Sequence, residues 1–143
     1  MTYQIIFERQ KELSNSIKTH HDVFKLVKRY GKSKKEQFIL ITLNGALEPI
    51  SISFVSIGIV NRTIVHPREV FIKAILDLAS LIIICHNHPS GRLKPSKEDL
   101  KITDRLCQAG RLIGIPVFDH IIFTAKKHLS LREQGYIKTK IDV

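Results

Sequence analysis

The run Leu81 to Cys85 (LIIIC), closed at once by His86-Asn87-His88-Pro89, constrains the fold more than any other stretch of this chain. It is far too short to span a membrane and too uniformly apolar for a strand with one face in water. It therefore predicts an interior strand buried on both sides. Such a strand needs neighbours along both edges and a covering layer on both faces, and the remaining sequence offers them. EQFILITLNG (36–45) and PISISFVSIG (49–58) are β-branched runs separated by Asn44-Gly45 and a few loop residues, which predicts a hairpin. IPVFDHIIFT (115–124) and HLSLRE (128–133) predict two further strands, YQIIFE (3–8) a short edge strand, and NRTIV (61–65) one more.

Three helices are expected as cover. The first runs from His20 to Tyr30, with Val23, Phe24 and Val27 on one side and Gly31 as its stop. The second follows Pro67, a residue suited to a first helical turn, and places Val70, Phe71, Ala74, Ile75, Leu78 and Ala79 on one face. The third starts at Ser96, runs to about Ile113, and buries Leu100, Thr103, Leu106, Cys107 and Ile113. Strands and helices do not alternate regularly, so the expectation is an α/β fold with a mixed sheet and helices packed on it. A chain of 143 residues suffices for one core. We divide it into a short N-terminal extension with a helix (1–32) and a main domain (33–143).

Composition removes several classes of function. The charge of MTYQIIFERQKEL appears too early for a signal peptide, and no apolar run nears the ~20 residues of a membrane span. Two cysteines, Cys85 and Cys107, do not make a disulfide framework, so a cytoplasmic protein with no membrane partner is expected. The net charge of +10 attracts acidic partners, nucleic acid among them, with lysines and arginines concentrated at 25–35 and 91–97. Few aromatic residues interleave with these to stack bases, and the bland account is a solvated basic face. No feature sets an oligomeric state.

The chemistry-bearing residues follow the apolar strand. Period-2 geometry puts His86 and His88 on one face and turns Asn87 away. Pro89-Ser90-Gly91 turns the chain, and Asp99 lies three residues beyond Ser96 in the next helix. A loop of this length brings that helix start back beside the strand end. Two imidazoles and one carboxylate are the usual donors of a catalytic zinc that keeps its fourth position for water. Ser96 and Asp99 also read as an ordinary helix start, a serine cap with acids in the first turn. The letters H-N-H do not indicate an HNH nuclease, whose three residues are spread over a longer motif. Zinc deaminases need H-x-E and P-C-x-x-C, and neither is present.

His86-x-His88-Pro89, six residues, Ser96, two residues and Asp99 together resemble the JAMM (MPN+) metalloprotease signature without a departure. The wider pattern HNHPSG..KPS.ED, GIPVFDHIIF and SLREQG resembles the RadC-like branch, over about Ser33 to Tyr136. The resemblance implies a cytidine-deaminase-like (JAB/MPN) α/β/α sandwich with helices on both faces, holding Zn2+ through His86, His88 and Asp99. It implies an amide- or isopeptide-cleaving enzyme with a peptide or protein-conjugate substrate. It also implies an upstream glutamate that moves a proton from water to the leaving amine. Glu36, at the start of a strand, matches that place; Glu69, in the first turn of a helix, is the alternative. Ser96 would donate to the oxyanion. His120 and Asp119 are read as core residues, with contact behind the metal ligands as the alternative. Cys85 should face away from the metal, and His20, His21, His66 and His128 are read as surface residues. The rival reading is a DNA-repair-associated, nucleic-acid-binding accessory protein with a structural or vestigial metal. Against it, the 35 residues before Glu36 are too few for the helical module that larger RadC-like proteins carry, and no fourth protein ligand for a structural zinc is evident.

Overall fold

The computed structural model describes residues 3–8, 15–55 and 65–138. Its centre is the apolar run met first. β4 (Leu81–Asn87) is buried along its whole length, pairing antiparallel with β2 (Phe38–Leu43) and parallel with β5 (Val117–Phe123). β2 and β3 (Pro49–Val55) form the expected hairpin, whose loop closes on Asn44: its side-chain oxygen accepts from the backbone N–H groups of Ala46 and Glu48, both at 3.0 Å. β1 (Tyr3–Glu8) pairs antiparallel with β3 at one edge, and β6 (His128–Ser130) pairs antiparallel with β5 at the other. The result is one six-stranded mixed sheet in the order β1-β3-β2-β4-β5-β6. The strand expected at 61–65 lies outside the described residues except for Val65, which precedes a helix.

Alternation along the strands divides the core in two. Leu40, Ile82, Ile84 and Ile122 face α2 (Pro67–Leu76) and α3 (Lys97–Ile113), meeting Val70, Phe71, Ala74, Leu106 and Cys107. Ile39, Ile41, Ile83, Cys85, Ile121 and Phe123 face α1 (His20–Val27) and pack on Val23 and Val27. The architecture is thus the expected α/β sandwich with helices on both faces. Each fully buried valine or isoleucine contributes ~1.5–3 kcal/mol of transfer free energy, and Val23 and Val27 make α1 an integral cover of the six-stranded sheet. α3 makes the crossover that parallel neighbours such as β4 and β5 require.

Several expectations are corrected in detail. α1 stops at Val27 and continues to Lys32 as a 3-10 turn. Gly31 is not a left-handed stop signal. A Cβ there would lie 2.4 Å from the backbone of Thr124 and Ala125, so glycine is needed where the turn presses on the end of β5. Ile75 is 50% and Leu78 87% exposed, because α2 ends at Leu76 and Leu78 leaves the helix with φ 52°. Asp77 closes that end, accepting from Thr42 Oγ1 (2.7 Å), Ser51 Oγ (2.6 Å) and Lys73 Nζ (2.8 Å). Ile113, at the last turn of α3, is 43% exposed and not core. Among the described residues no helix is long and apolar enough to cross a membrane.

Candidate metal centre

The end of β4 and the start of α3 meet on the α2/α3 side of the sheet. His86 shares the face of Ile82 and Ile84. His88, one residue past the strand, still donates its N–H to Phe123 O (2.9 Å), so the pleat persists and both imidazoles project the same way. The turn is pinned by Gly91 N–H to His88 O (3.0 Å), with Gly91 at φ 82°, a conformation that favours glycine. The chain then returns to Ser96, the N-cap of α3. Asp99 N–H donates to Ser96 Oγ (3.0 Å), and Ser96 N–H donates to Asp99 Oδ2 (2.8 Å), a reciprocal capping box. The cap and the site are one arrangement, because the carboxylate that closes the box also reaches both histidines. Asp99 Oδ1 lies 3.1 Å from His86 Nε2 and Oδ2 lies 3.2 Å from His88 Nε2.

Hydrogen bonds behind the site fix which nitrogen of each ring carries the proton. Thr103 Oγ1 donates to Asp99 O (2.7 Å), so its single hydroxyl proton is committed and it accepts from His120 Nδ1–H at 2.6 Å. Burial holds His120 well below the usual histidine range, so its ring is neutral and Nε2 bears a lone pair. That lone pair accepts from His86 Nδ1–H at 2.7 Å, which leaves His86 Nε2 bare. His88 Nδ1–H donates to the carbonyl of Arg92 (2.7 Å), so its Nε2 is bare as well.

Two lone pairs thus face each other at 2.9 Å, beside a carboxylate. Such a group is stable only with a positive charge among its members. Without a metal, that charge is a proton: the hydrogen bond to Asp99 raises His88 above its ordinary value against the opposing effect of burial. Burial alone would raise Asp99, yet the two histidines against its carboxylate and the Ser96 N–H prevail and hold it well below the carboxylate range. Two neutral imidazoles and a carboxylate, each with its outer atoms engaged, are a donor set for a divalent transition metal.

Glu36 stands beside this set, its Oε1 3.7 Å from His86 Nε2; the ligand atoms of Glu36, His86, His88 and Asp99 lie within 4.8 Å of one another. Glu69 is not in the group. It sits in the first turn of α2, where its N–H donates to His66 O (2.9 Å). The segment carrying Glu36 is held by Asn87, which was expected only to point away. On the far face of β4 its Oδ1 accepts from Gln37 N–H (2.7 Å), and its Nδ2 donates to the carbonyls of Lys35 (2.9 Å) and Ser33 (3.4 Å). Phe38 stacks on His86 with ring centroids 6.0 Å apart.

Sequence reasoning missed the roles of Asn87 and Thr103. His120 is the buried, satisfied core histidine that was expected, and one of its hydrogen bonds goes to His86, so both readings of it hold. Asp119 lies on the opposite face. It accepts from Ser130 Oγ (2.5 Å) and Arg132 N–H (3.0 Å), which ties β5 to β6, and burial raises its pKa. Cys85 is buried on the α1 side, away from His86, as expected.

A sequence with this centre matches the model of the RadC-like JAB domain over residues 17–136. The chain belongs to the RadC-like JAB-domain family. Its relatives include proteins named UPF0758 protein. The one from Methanospirillum hungatei is 50% identical over 75% of this chain and 47% of its own length. The one from Alkaliphilus metalliredigens is 52% identical over 71% and 44%, and the one from Methanosarcina mazei 39% over 90% and 56%. The chain therefore spans about half the length of the curated relatives it matches. The family match begins ahead of α1, so the helix that covers one face of this JAB domain lies within it.

The tautomer chain makes a prediction for the JAB domain. Thr103→Val keeps the shape and removes the acceptor for His120 Nδ1–H, which releases the orientation of the His86 ring. Divalent-metal affinity should fall by about 10–100-fold, the usual effect of losing a partner behind a metal ligand. A competition titration against a chromophoric chelator measures it. An unchanged affinity would show that packing against Phe38 alone orients His86.

Proposed function

We propose that this JAB domain is a zinc-dependent hydrolase that cleaves an amide or isopeptide bond in a peptide or protein-conjugate substrate. The observation that carries the reading is the convergence of Glu36 on a group whose two imidazole nitrogens are both left bare by their hydrogen bonds. His86, His88 and Asp99 would hold the ion; their donor set of two nitrogens and one carboxylate suits zinc and leaves a position for water. Zinc bound there supplies a Lewis acid that polarises a carbonyl and brings the pKa of a water toward neutrality.

The remaining steps belong to the chain. Glu36 is placed to accept a proton from the attacking water and to return it to the leaving amine, so that the amine departs neutral. Ser96, held by the capping box, would donate its hydroxyl proton to the oxygen of the substrate carbonyl; a donor of this kind is worth about 3 kcal/mol. His120 and Thr103 hold the His86 ring, and Asn87 holds Glu36.

Quenched peptides and isopeptide-linked conjugates, incubated with zinc-loaded protein, test the proposal. Cleavage that stops with chelator and returns with zinc is expected, and cleavage that survives Glu36→Gln would overturn the assignment. Asn87→Ala should retain the metal and lose about 10²-fold in turnover, the cost of a small misplacement of a catalytic group. Metal content and kcat measured on the same preparation check this.

The net charge of +10 favours a second reading, a nucleic-acid-binding accessory role in the cytoplasm. Phosphate contacts would make log K for DNA fall steeply with log salt. A flat dependence would remove that reading.

A further inference from the structure

We propose that His20, His21 and His128 form a second transition-metal site, on the face of the sheet opposite the Glu36–Asp99 centre, that takes Zn2+ through three imidazole nitrogens. His20 and His21 open α1, and His128 opens β6. In the β5–β6 register His128 stands across from Phe123, a residue of the core beneath α1, so its ring projects to the α1 side. His86 belongs to the other face. The two clusters are therefore separated by the sheet and share no residue.

Tertiary packing brings the three rings together. Ring centroids are 4.4 Å apart for His20–His21, 5.0 Å for His20–His128 and 4.9 Å for His21–His128. One nitrogen from each lies within 4.8 Å of the others, and His20 Nδ1 is 2.7 Å from His128 Nε2. His20 Nε2–H donates to the carboxylate of Glu133, which leaves Nδ1 as the nitrogen on the cluster side. A carboxylate behind a histidine, fixing its tautomer and raising its basicity, is the usual support of a metal-bound imidazole. Phe24 stacks on the His128 ring at 4.6 Å and fixes its plane.

Access and charge also fit. His21 is exposed and His20 and His128 half-buried. A cavity of about 420 Å³ opens beside the cluster with His20, His21 and Glu133 in its wall, a route for an ion and space for a water as fourth ligand. The positive end of α1 opposes a cation, and Asp22 offsets it by closing the capping box of that helix. Three nitrogens without oxygen donors disfavour Ca2+ and Mg2+ and favour zinc, nickel or copper. The alternative is a metal-free pair in which His128 Nε2–H donates to His20 Nδ1.

Zinc content and zinc titration calorimetry of tag-free protein decide between them. Wild type should bind about two ions per chain, and His128→Ala and Asp99→Ala about one each, with the double variant binding none. His21→Ala, a change at an exposed position that leaves packing intact, should weaken the second site at least tenfold if His128→Ala fails to fold. Equal stoichiometry and affinity in wild type and both histidine variants would overturn the proposal, as would an Asp99→Ala protein that binds no zinc. Loss of the ion in Asp99→Ala reports the first centre separately, so failure of one site is not read as failure of the other.

Discussion

Glu36→Gln should keep its metal and lose about 10²–10⁴-fold in amide hydrolysis, the range that a positioned general acid–base contributes. The side chain stands 3.7 Å from His86 Nε2, outside the 3.1–3.2 Å contacts that Asp99 makes with the two histidines. On the proposed mechanism Glu36 serves the water, and His86, His88 and Asp99 hold the ion. Glutamine preserves the size of the side chain and removes the ability to take a proton. Turnover should fall in kcat with little change in KM, because the interaction matters in the transition state. A variant that lost metal and activity together would instead make Glu36 a ligand.

The second large effect is the coupling of metal to stability and pH. Zinc at 1,000 times its dissociation constant stabilises a folded domain by about 4 kcal/mol. For a chain of 143 residues that corresponds to a rise on the order of 10 °C in Tm. The increment should vanish in Asp99→Ala; the His128→Ala background removes the contribution of the second cluster.

Its pH dependence follows from the site's own groups. In the metal-free domain His88 is raised, so its contribution is full below about pH 6.5 and is lost as pH rises through its folded value. Asp99 is depressed, so its contribution is present above about pH 4 and is lost as pH falls toward its folded value. The metal-free ion pair is therefore worth most between those limits. Zinc must displace the His88 proton, so the zinc-dependent rise in Tm should grow from pH 6 to pH 8. Melting curves with zinc or chelator at the two pH values measure it, and a larger increment at pH 6 would contradict the assignment.

The parts of this molecule written locally were legible in the sequence. The apolar run 81–85 could only be an interior strand, and β2, β3, β5 and the three helices follow from periodicity and turn residues. The clustering of His86, His88 and Asp99 was legible because they lie within one strand–turn–helix unit of 14 residues. What failed depends on where elements stop or on distant partners. Ile75, Leu78 and Ile113 have the right spacing but lie at helix ends that rotate away from the sheet. Asn87 looks like a spacer until residues 33–37 are laid beside it, 50 and more positions away. The His20–His128 contact joins residues 108 apart, and no spacing rule relates them. Gly31 looked like a helix stop because its neighbours in sequence are a helix, whereas its constraint comes from Thr124 and Ala125.

Anomalous diffraction at the zinc absorption edge, from crystals of zinc-loaded protein, tests the central claim most directly. A peak bounded by His86 Nε2, His88 Nε2 and the Asp99 carboxylate, with Glu36 beside it and outside bonding distance, is the expected result. The absence of a peak there, in crystals that show the same side-chain arrangement, would mean that protons rather than a metal hold the two histidines and the aspartate together, and the hydrolase reading would fall with it.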